Sequence, residues 1–300
     1  MMPPLPKSVS FPSGFMWGAA TAGFQVEAGL DDTDWGAWAM TPGKIANGDD
    51  PNDGPDAFAH VDDDVADLVA TGMGAYRFSI ELARLYPTRA DFDADTPDAD
   101  GLAKYDGLLA ALAAQGVTPL VTLHHFVWPL WMSDPSAPSD PQGWERSDAG
   151  DVFATWCSRM GARYGDRVDW WVTINEPNVE GSVGYLASVW PPGVSDTDRL
   201  AAVLKAQVRA HAKCFDALHA ADAIDADGDG HAAWVSIAQH QRVYEPATSS
   251  DADQAAAAHS DYFWNQWILN AIVKGDLDED FDGAIGPGDE HADPSLIGRA

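Results

Sequence analysis

VDWWVTINEPNV, residues 168–179, runs through Val, Trp and Ile to an abrupt Asn-Glu-Pro. A short run rich in β-branched and aromatic residues reads as a strand covered on both faces, here VDWWVTI (168–174). Pro177 stops the ladder because it has no N–H to donate. Upstream, GFMWGAATA (14–22), AYRFSI (75–80) and VTPLVTLHHF (117–126) read as strands, and downstream so does HAAWVSIAQ (231–239). Helix-period stretches separate them. In DAFAHVDDDVADLVATG (56–72) Phe58, Val61, Val65 and Leu68 share one face and Asp the other. GLAKYDGLLAALAAQG (101–116) reads as a helix ended by Gly116. Residues 148–164, 199–220 and 254–273 read the same way.

Strict strand–helix alternation predicts a parallel sheet under helices. No Gly-rich phosphate loop follows the first strand, which argues against a dinucleotide fold. The fold class expected is α/β, a (β/α)8 TIM barrel of which this chain supplies about the first five βα units, with an active site at the C-terminal strand ends. No linker or composition break divides residues 1–300, so one domain is expected.

The 300 residues carry 39 Asp, 8 Glu, 11 Arg and 6 Lys, a formal charge of −30. With 13 Trp and 46% hydrophobic residues the chain is no disordered acidic tail. Such a charge repels polyanions, which excludes nucleic acid and anionic membrane as partners. Asp in place of Lys is the surface expected of a protein kept soluble in high salt, so a halophilic source is inferred. MMPPLPKSVSFPSG (1–14) has no apolar signal core, and no apolar run reaches spanning length, so a cytoplasmic location is expected. Cys157 and Cys214 lie in apolar helical patterns without metal spacing and read as reduced core residues.

Where Asp is the default acid, each Glu is informative. Glu176 stands at a strand end beside Trp and Pro, either capping a loop or serving as a proton donor at a catalytic rim. Asn175 beside it can bond a hydroxyl. Gln25 and Glu27 in GFQVEAG, and His124, His125, Trp128 and Trp131 in LHHFVWPLWM, put amide, imidazole and indole groups at other strand ends. That set suits a sugar, whose hydroxyls exchange hydrogen bonds and whose ring face stacks on Trp. Neighbours on a strand face opposite ways, so only one of the His pair enters the site, which disfavours metal there. Asp225, Asp227 and Asp229 before Gly230 start like a calcium loop, but the twelfth position is Ser236, so an acidic turn is preferred. His211 and His219 read as packing or surface residues, Trp170 and Trp171 as strand packing. Trp190 reads equally as an aglycone wall or a loop anchor.

FPSGFMWGAATAGFQVEAG (11–29), YRFSIELARLYPT (76–88), VTLHHFVWPLW (121–131), GDRVDWWVTINEPNV (165–179) and GYLASVWPPGV (184–194) together resemble glycoside hydrolase family 1, the retaining β-glucosidase and β-galactosidase family, motif by motif and in its order. The resemblance implies Glu176 as general acid/base and Arg77 as the arginine beside the nucleophile. It implies Asn175 as partner of the sugar 2-hydroxyl, with Gln25 and His125 holding the sugar. Phe126 stands where the family usually has Trp, which keeps an aromatic wall and removes an indole donor. No cofactor and no metal are implied.

Retaining hydrolysis needs a second carboxylate about 5 Å from the first. The family's nucleophile sits in a TENG-like motif after strand seven, and nothing here matches it. Glu180, Glu245, Glu279 and Glu290 follow Glu176, none in that context. The expectation is therefore a C-terminally incomplete glycosidase domain that acts on terminal non-reducing β-D-glucosyl or galactosyl residues. Alone it is expected to be inactive. A second polypeptide carrying the missing strands, or a non-catalytic sugar-binding remnant, are the alternatives.

Overall fold

A computed structural model describes residues 10–300. The expectation that residues 1–14 carry no signal peptide therefore falls mostly outside the described residues. The strands are β1 (Gly18–Ala20), β2 (Ala75–Ser79), β3 (Thr118–His124), β4 (Trp170–Asn175) and β5 (Trp234–Ala238). They form one parallel sheet in the order β1-β2-β3-β4-β5, with Gly18 opposite Ala75, Ala75 opposite Thr118 and Trp170 opposite Trp234. β1 is much shorter than 14–22. Phe11, Phe15 and Trp17 instead form an exposed aromatic knot before it, with ring centroids 4.5–5.0 Å apart. Gly18 fits because a Cβ there would meet the Ala75 carbonyl oxygen at 2.8 Å.

The helices that matter for the site are α1 (Val61–Ala70), α2 (Ala99–Gln115), α3 (Ala149–Tyr164), α4 (Pro177–Tyr185), α5 (Thr197–Ala221) and α6 (Asp251–Asp261). Their ends show what the abundant Asp does. Asp62, Asp63 and Asp64 fill the first turn of α1, where the helix dipole favours anions. Asp98 caps α2 by accepting from the Gly101 N–H, and Asp196 caps α5 by accepting from Asp198 and Arg199. α2 stops at Gly116, whose φ of +67° a glycine adopts freely. α6 runs on through a π-helical turn, Tyr262–Gln266, and ends in a second, Asn270–Lys274. The core lies between sheet and helices, with Trp144, Trp156, Trp171 and Trp267 among its largest buried side chains.

One expectation is corrected here. Cys157 on α3 and Cys214 on α5 are not reduced but form a disulfide, with Cα atoms 5.5 Å apart. Both sit on the buried faces where α3 packs against α5, and that packing brings residues 57 apart in sequence within bridging distance.

The sheet has two open edges. β1 is bonded to β2 alone and all three of its residues are exposed. β5 is bonded to β4 alone, with Trp234 and Ser236 exposed. Among the described residues no helix is long and apolar enough to cross a membrane.

Candidate active site

β4 delivers Asn175 and Glu176 to the C-terminal end of the sheet. At Glu176 the backbone turns left-handed, φ +46°, a costly conformation for a residue with a Cβ. Its N–H is anchored on the Ala238 carbonyl of β5 at 2.7 Å, and Pro177 opens α4 at the position where proline is best tolerated. The turn therefore presents the carboxylate above the strand ends with its side chain about one-third exposed.

Arg77, from β2, reaches across two strands. Its Nε donates to Thr122 Oγ1 of β3 at 2.8 Å and its Nη2 to Asn175 Oδ1 of β4 at 2.5 Å. Burial lowers the pKa of this guanidinium and the nearby Glu176 carboxylate opposes that. It stays a cation, since arginine does not deprotonate in proteins.

The two adjacent histidines at the end of β3 part company. His124 turns into the core, and His125, just beyond the strand, turns toward Arg77. Burial, then the charges of Arg77 and His124, push the His125 pKa down to about 3, so its imidazole is neutral. Its Nδ1 is buried without a protein partner. A neutral ring with a free nitrogen suits a hydroxyl that can both donate and accept. Phe126 follows with φ +70°. Its ring lies 4.9 Å from His125 and 5.0 Å from Trp190, and its carbonyl accepts from Trp35 Nε1 at 3.1 Å. Trp35 and Trp190 are 5.3 Å apart, so these rings form a continuous, half-buried aromatic wall.

Glu176, Asn175 and Arg77 are thus brought together directly, and His125 and Phe126 adjoin them. Gln25 lies on the short helix Gly23–Val26 after β1, with an exposed side chain.

Other strand-end residues do different work. Glu27 does not join a sugar site. It is buried in an ion pair with Arg84, Oε2 to Nε 2.8 Å, and touches the Tyr105 hydroxyl. Trp128 is buried beside His124 and Trp144, and the Trp131 Nε1 is spent on the Tyr86 carbonyl. The core claims these rings because the chain after Phe126 is bonded to residues 32–34, with Trp128 N–H donating to Asp34 Oδ1 at 3.0 Å and Leu130 N–H to the Asp32 carbonyl at 3.1 Å. Asp169, Asp225 and Asp227 place carboxylate oxygens within 4.8 Å of one another. Those oxygens accept from backbone N–H groups of residues 226–230, as an acidic turn requires.

Sequence reasoning set Glu180 aside only as a nucleophile and did not single out His240. Glu180, one helical turn after Glu176, is buried and accepts from Trp144 Nε1 at 3.1 Å and Gln207 Nε2 at 2.8 Å, and pairs with His124 Nε2 at 3.1 Å. It ties β3, α4 and α5 together beneath the site. Its place four residues after Glu176 was the available signal, because it puts Glu180 in the first turn of the helix that leaves the same strand end. The second is His240, past β5, whose Nδ1 is 3.1 Å from Glu176 Oε1. A His directly after a predicted strand was the signal there.

The sequence model of Glycosyl hydrolase family 1 matches residues 7–287. The chain belongs to glycosyl hydrolase family 1. β-Glucosidase A of Thermotoga maritima is 31% identical over 275 residues, covering 90% of this chain and 58% of that protein. A β-galactosidase of Pyrococcus woesei is 29% identical over 321 residues, covering 91% of this chain and 63% of that protein. The solved family 1 β-glucosidase of T. maritima superposes with a TM-score of 0.78 at 30% identity, over 90% of this chain and 58% of the other. This chain therefore spans under two thirds of the family 1 relatives it matches here. Its five-stranded parallel sheet is a partial TIM barrel.

Proposed function

We propose that this chain carries the acid/base half of a retaining β-glycosidase, one incomplete barrel domain acting on terminal non-reducing β-D-glucosyl or galactosyl residues. The observation that carries this is Glu176 at the end of β4 with Asn175 beside it and Arg77 bridging to Asn175. In this reading Glu176 Oε protonates the leaving glycosidic oxygen and later takes a proton from the attacking water. Asn175 and His125 bond sugar hydroxyls, Phe126 walls the ring, and Gln25 reaches the far side. Arg77 supplies positive charge where a carboxylate nucleophile would stand.

That nucleophile is expected in the strands beyond these five. The later glutamates are otherwise engaged: Glu180 is buried in its polar cluster, Glu279 pairs with Lys205 and Arg209, and Glu290 pairs with Arg209. Glu245 is exposed in the loop after β5. The two open edges, β1 and β5, are where three further βα units would bond, from a continuation of the chain or from a second polypeptide. The test is a nitrophenyl β-glycoside assay on this chain alone in molar salt. No turnover is expected. Turnover that Glu176→Ala abolishes would overturn the incompleteness.

The composition supports a halophilic setting, and a cytoplasmic one is proposed alongside it. At −30 the folded chain repels itself, and molar salt shortens the screening length from about 10 Å at 0.1 M to about 3 Å. The Cys157–Cys214 bridge is unusual for a reducing cytosol, but both sulfur-bearing side chains are fully buried from reductants. The melting temperature should rise steeply between 0.1 M and 2 M KCl by calorimetry. A flat profile would mark an ordinary acidic surface.

A further inference from the structure

The loop leaving β5 brings a group to Glu176 that the proposed mechanism leaves without a task. His240 Nδ1 lies 3.1 Å from Glu176 Oε1, and on its other side Arg242 Nε lies 3.0 Å from His240 Nε2. A guanidinium can only donate, so Nε2 is the accepting nitrogen and carries no proton. A ring in that state keeps its single proton on Nδ1, which therefore donates to Oε1. Both side chains are about one-third exposed, so the contact lies on the open side of the site, with Arg77 the other charged group facing Glu176.

The arrangement is held from several directions. The Arg242 guanidinium sits 3.8 Å from the centre of the Trp264 ring, a cation–π contact that fixes its direction. Its backbone exchanges two hydrogen bonds with the Asn265 side chain, N to Oδ1 at 2.8 Å and O to Nδ2 at 2.6 Å. Asn178, on α4 just after Glu176, donates to both the His240 and Trp264 carbonyls at 3.2 and 3.0 Å. Gln239 donates to the Trp264 carbonyl at 2.8 Å. Trp264 and Asn265 belong to the π-helical turn Tyr262–Gln266. Such turns are uncommon and concentrate at functional sites. The turn, the β5 exit loop and the start of α4 are thereby one connected polar clamp.

We propose that His240 is a positioning residue for Glu176. Arg242 holds it as the Nδ1–H tautomer, and it donates to Oε1, so that the acid proton of Glu176 resides on Oε2. This deepens the glycosidase reading and rests on it. In a carboxylic acid the carbonyl oxygen is the stronger acceptor, so an N–H on Oε1 favours the acid proton on Oε2 and the clamp biases which oxygen delivers it to the leaving group. After that transfer the same N–H still bonds the carboxylate, so the side chain keeps its orientation for the return step. Trp264 and Asn265 act one contact further out, by aiming Arg242.

The test is 15N NMR of the whole chain labelled at histidine ring nitrogens, in molar salt. His240 is expected to show a protonated, pyrrole-type Nδ1 and an unprotonated, pyridine-type Nε2. Arg242→Ala should convert this into an averaged pair of tautomers, and Glu176→Gln should shift the Nδ1 signal while leaving Nε2 pyridine-type. Arg242 is exposed, and an unchanged backbone amide spectrum shows that the variant folds. A protonated Nε2 or an averaged pair in the unaltered chain would overturn the proposal, as would an Arg242→Ala spectrum identical to it. No turnover is needed, so an inactive chain, or failure of the glycosidase reading, leaves this result independent.

Discussion

Glu176→Ala, in a barrel completed with strands six to eight, should lower turnover of alkyl β-glycosides by about 10²- to 10⁴-fold, the usual contribution of a positioned general acid. The loss should depend on the leaving group. An alkoxide cannot depart without a proton, whereas a dinitrophenolate can, so the first step on dinitrophenyl glycosides should be nearly spared. The second step still suffers, because water needs a base. A small anion such as azide needs none and should restore turnover on the activated substrate. This pattern separates an acid/base from a residue that merely shapes the site, whose loss would depress every substrate alike. Equal losses for alkyl and dinitrophenyl glycosides, with no rescue by azide, would remove Glu176 from that role.

Glu81 should make stability fall with rising pH, in the same direction as the buried carboxyls of Asp34 and Glu27, whose pKa values burial also raises. Glu81 follows β2 and is fully buried. Its carboxyl takes a hydrogen bond from Ser79 Oγ at 2.5 Å, and its own N–H bonds the Tyr105 hydroxyl. Burial, then the nearby Glu27 carboxylate, push its pKa up to about 8, with Ser79 and Arg84 opposing. In the unfolded chain Glu81 ionises near its ordinary 4.5. Between pH 4.5 and 8 the folded state therefore binds more protons, and stability falls as pH rises through that window. At about 1.4 kcal/mol per pH unit the full span is on the order of 5 kcal/mol. His125 and His211 act the other way at lower pH. Their pKa values, about 3 and about 4, are depressed chiefly by burial, so stability is lost as pH falls below the ordinary histidine value. Urea unfolding of Glu81→Gln at pH 5, 7 and 8 should show a flatter profile than the parent, with the largest gain at pH 8. Parallel profiles would mean that Glu81 is ionised in the folded protein.

The strand–helix alternation was legible because most strands are compact apolar runs and the helices show their period, with Asp caps on α2 and α5. β1 was the exception, since an aromatic cluster and a strand share the same composition. Glu176, Asn175 and Arg77 were legible through the family's strand-end motifs. Glu27, Trp128 and Trp131 sit at strand ends too, yet their chemistry is consumed by Arg84, Trp144 and Tyr86, partners that are remote in sequence. The Cys157–Cys214 bridge was hidden for the same reason, because only the packing of α3 on α5 sets that distance. His240 required knowing that β5 lies beside β4, so that two strand ends share one carboxylate.

The most direct test is a β-glucoside and β-galactoside assay of this chain mixed with a polypeptide that supplies the three remaining βα units and their carboxylate. Turnover should appear only in the mixture and vanish when the chain carries Glu176→Ala. Turnover by the chain alone, or a mixture indifferent to Glu176→Ala, would contradict the assignment of this chain as the acid/base half of the enzyme.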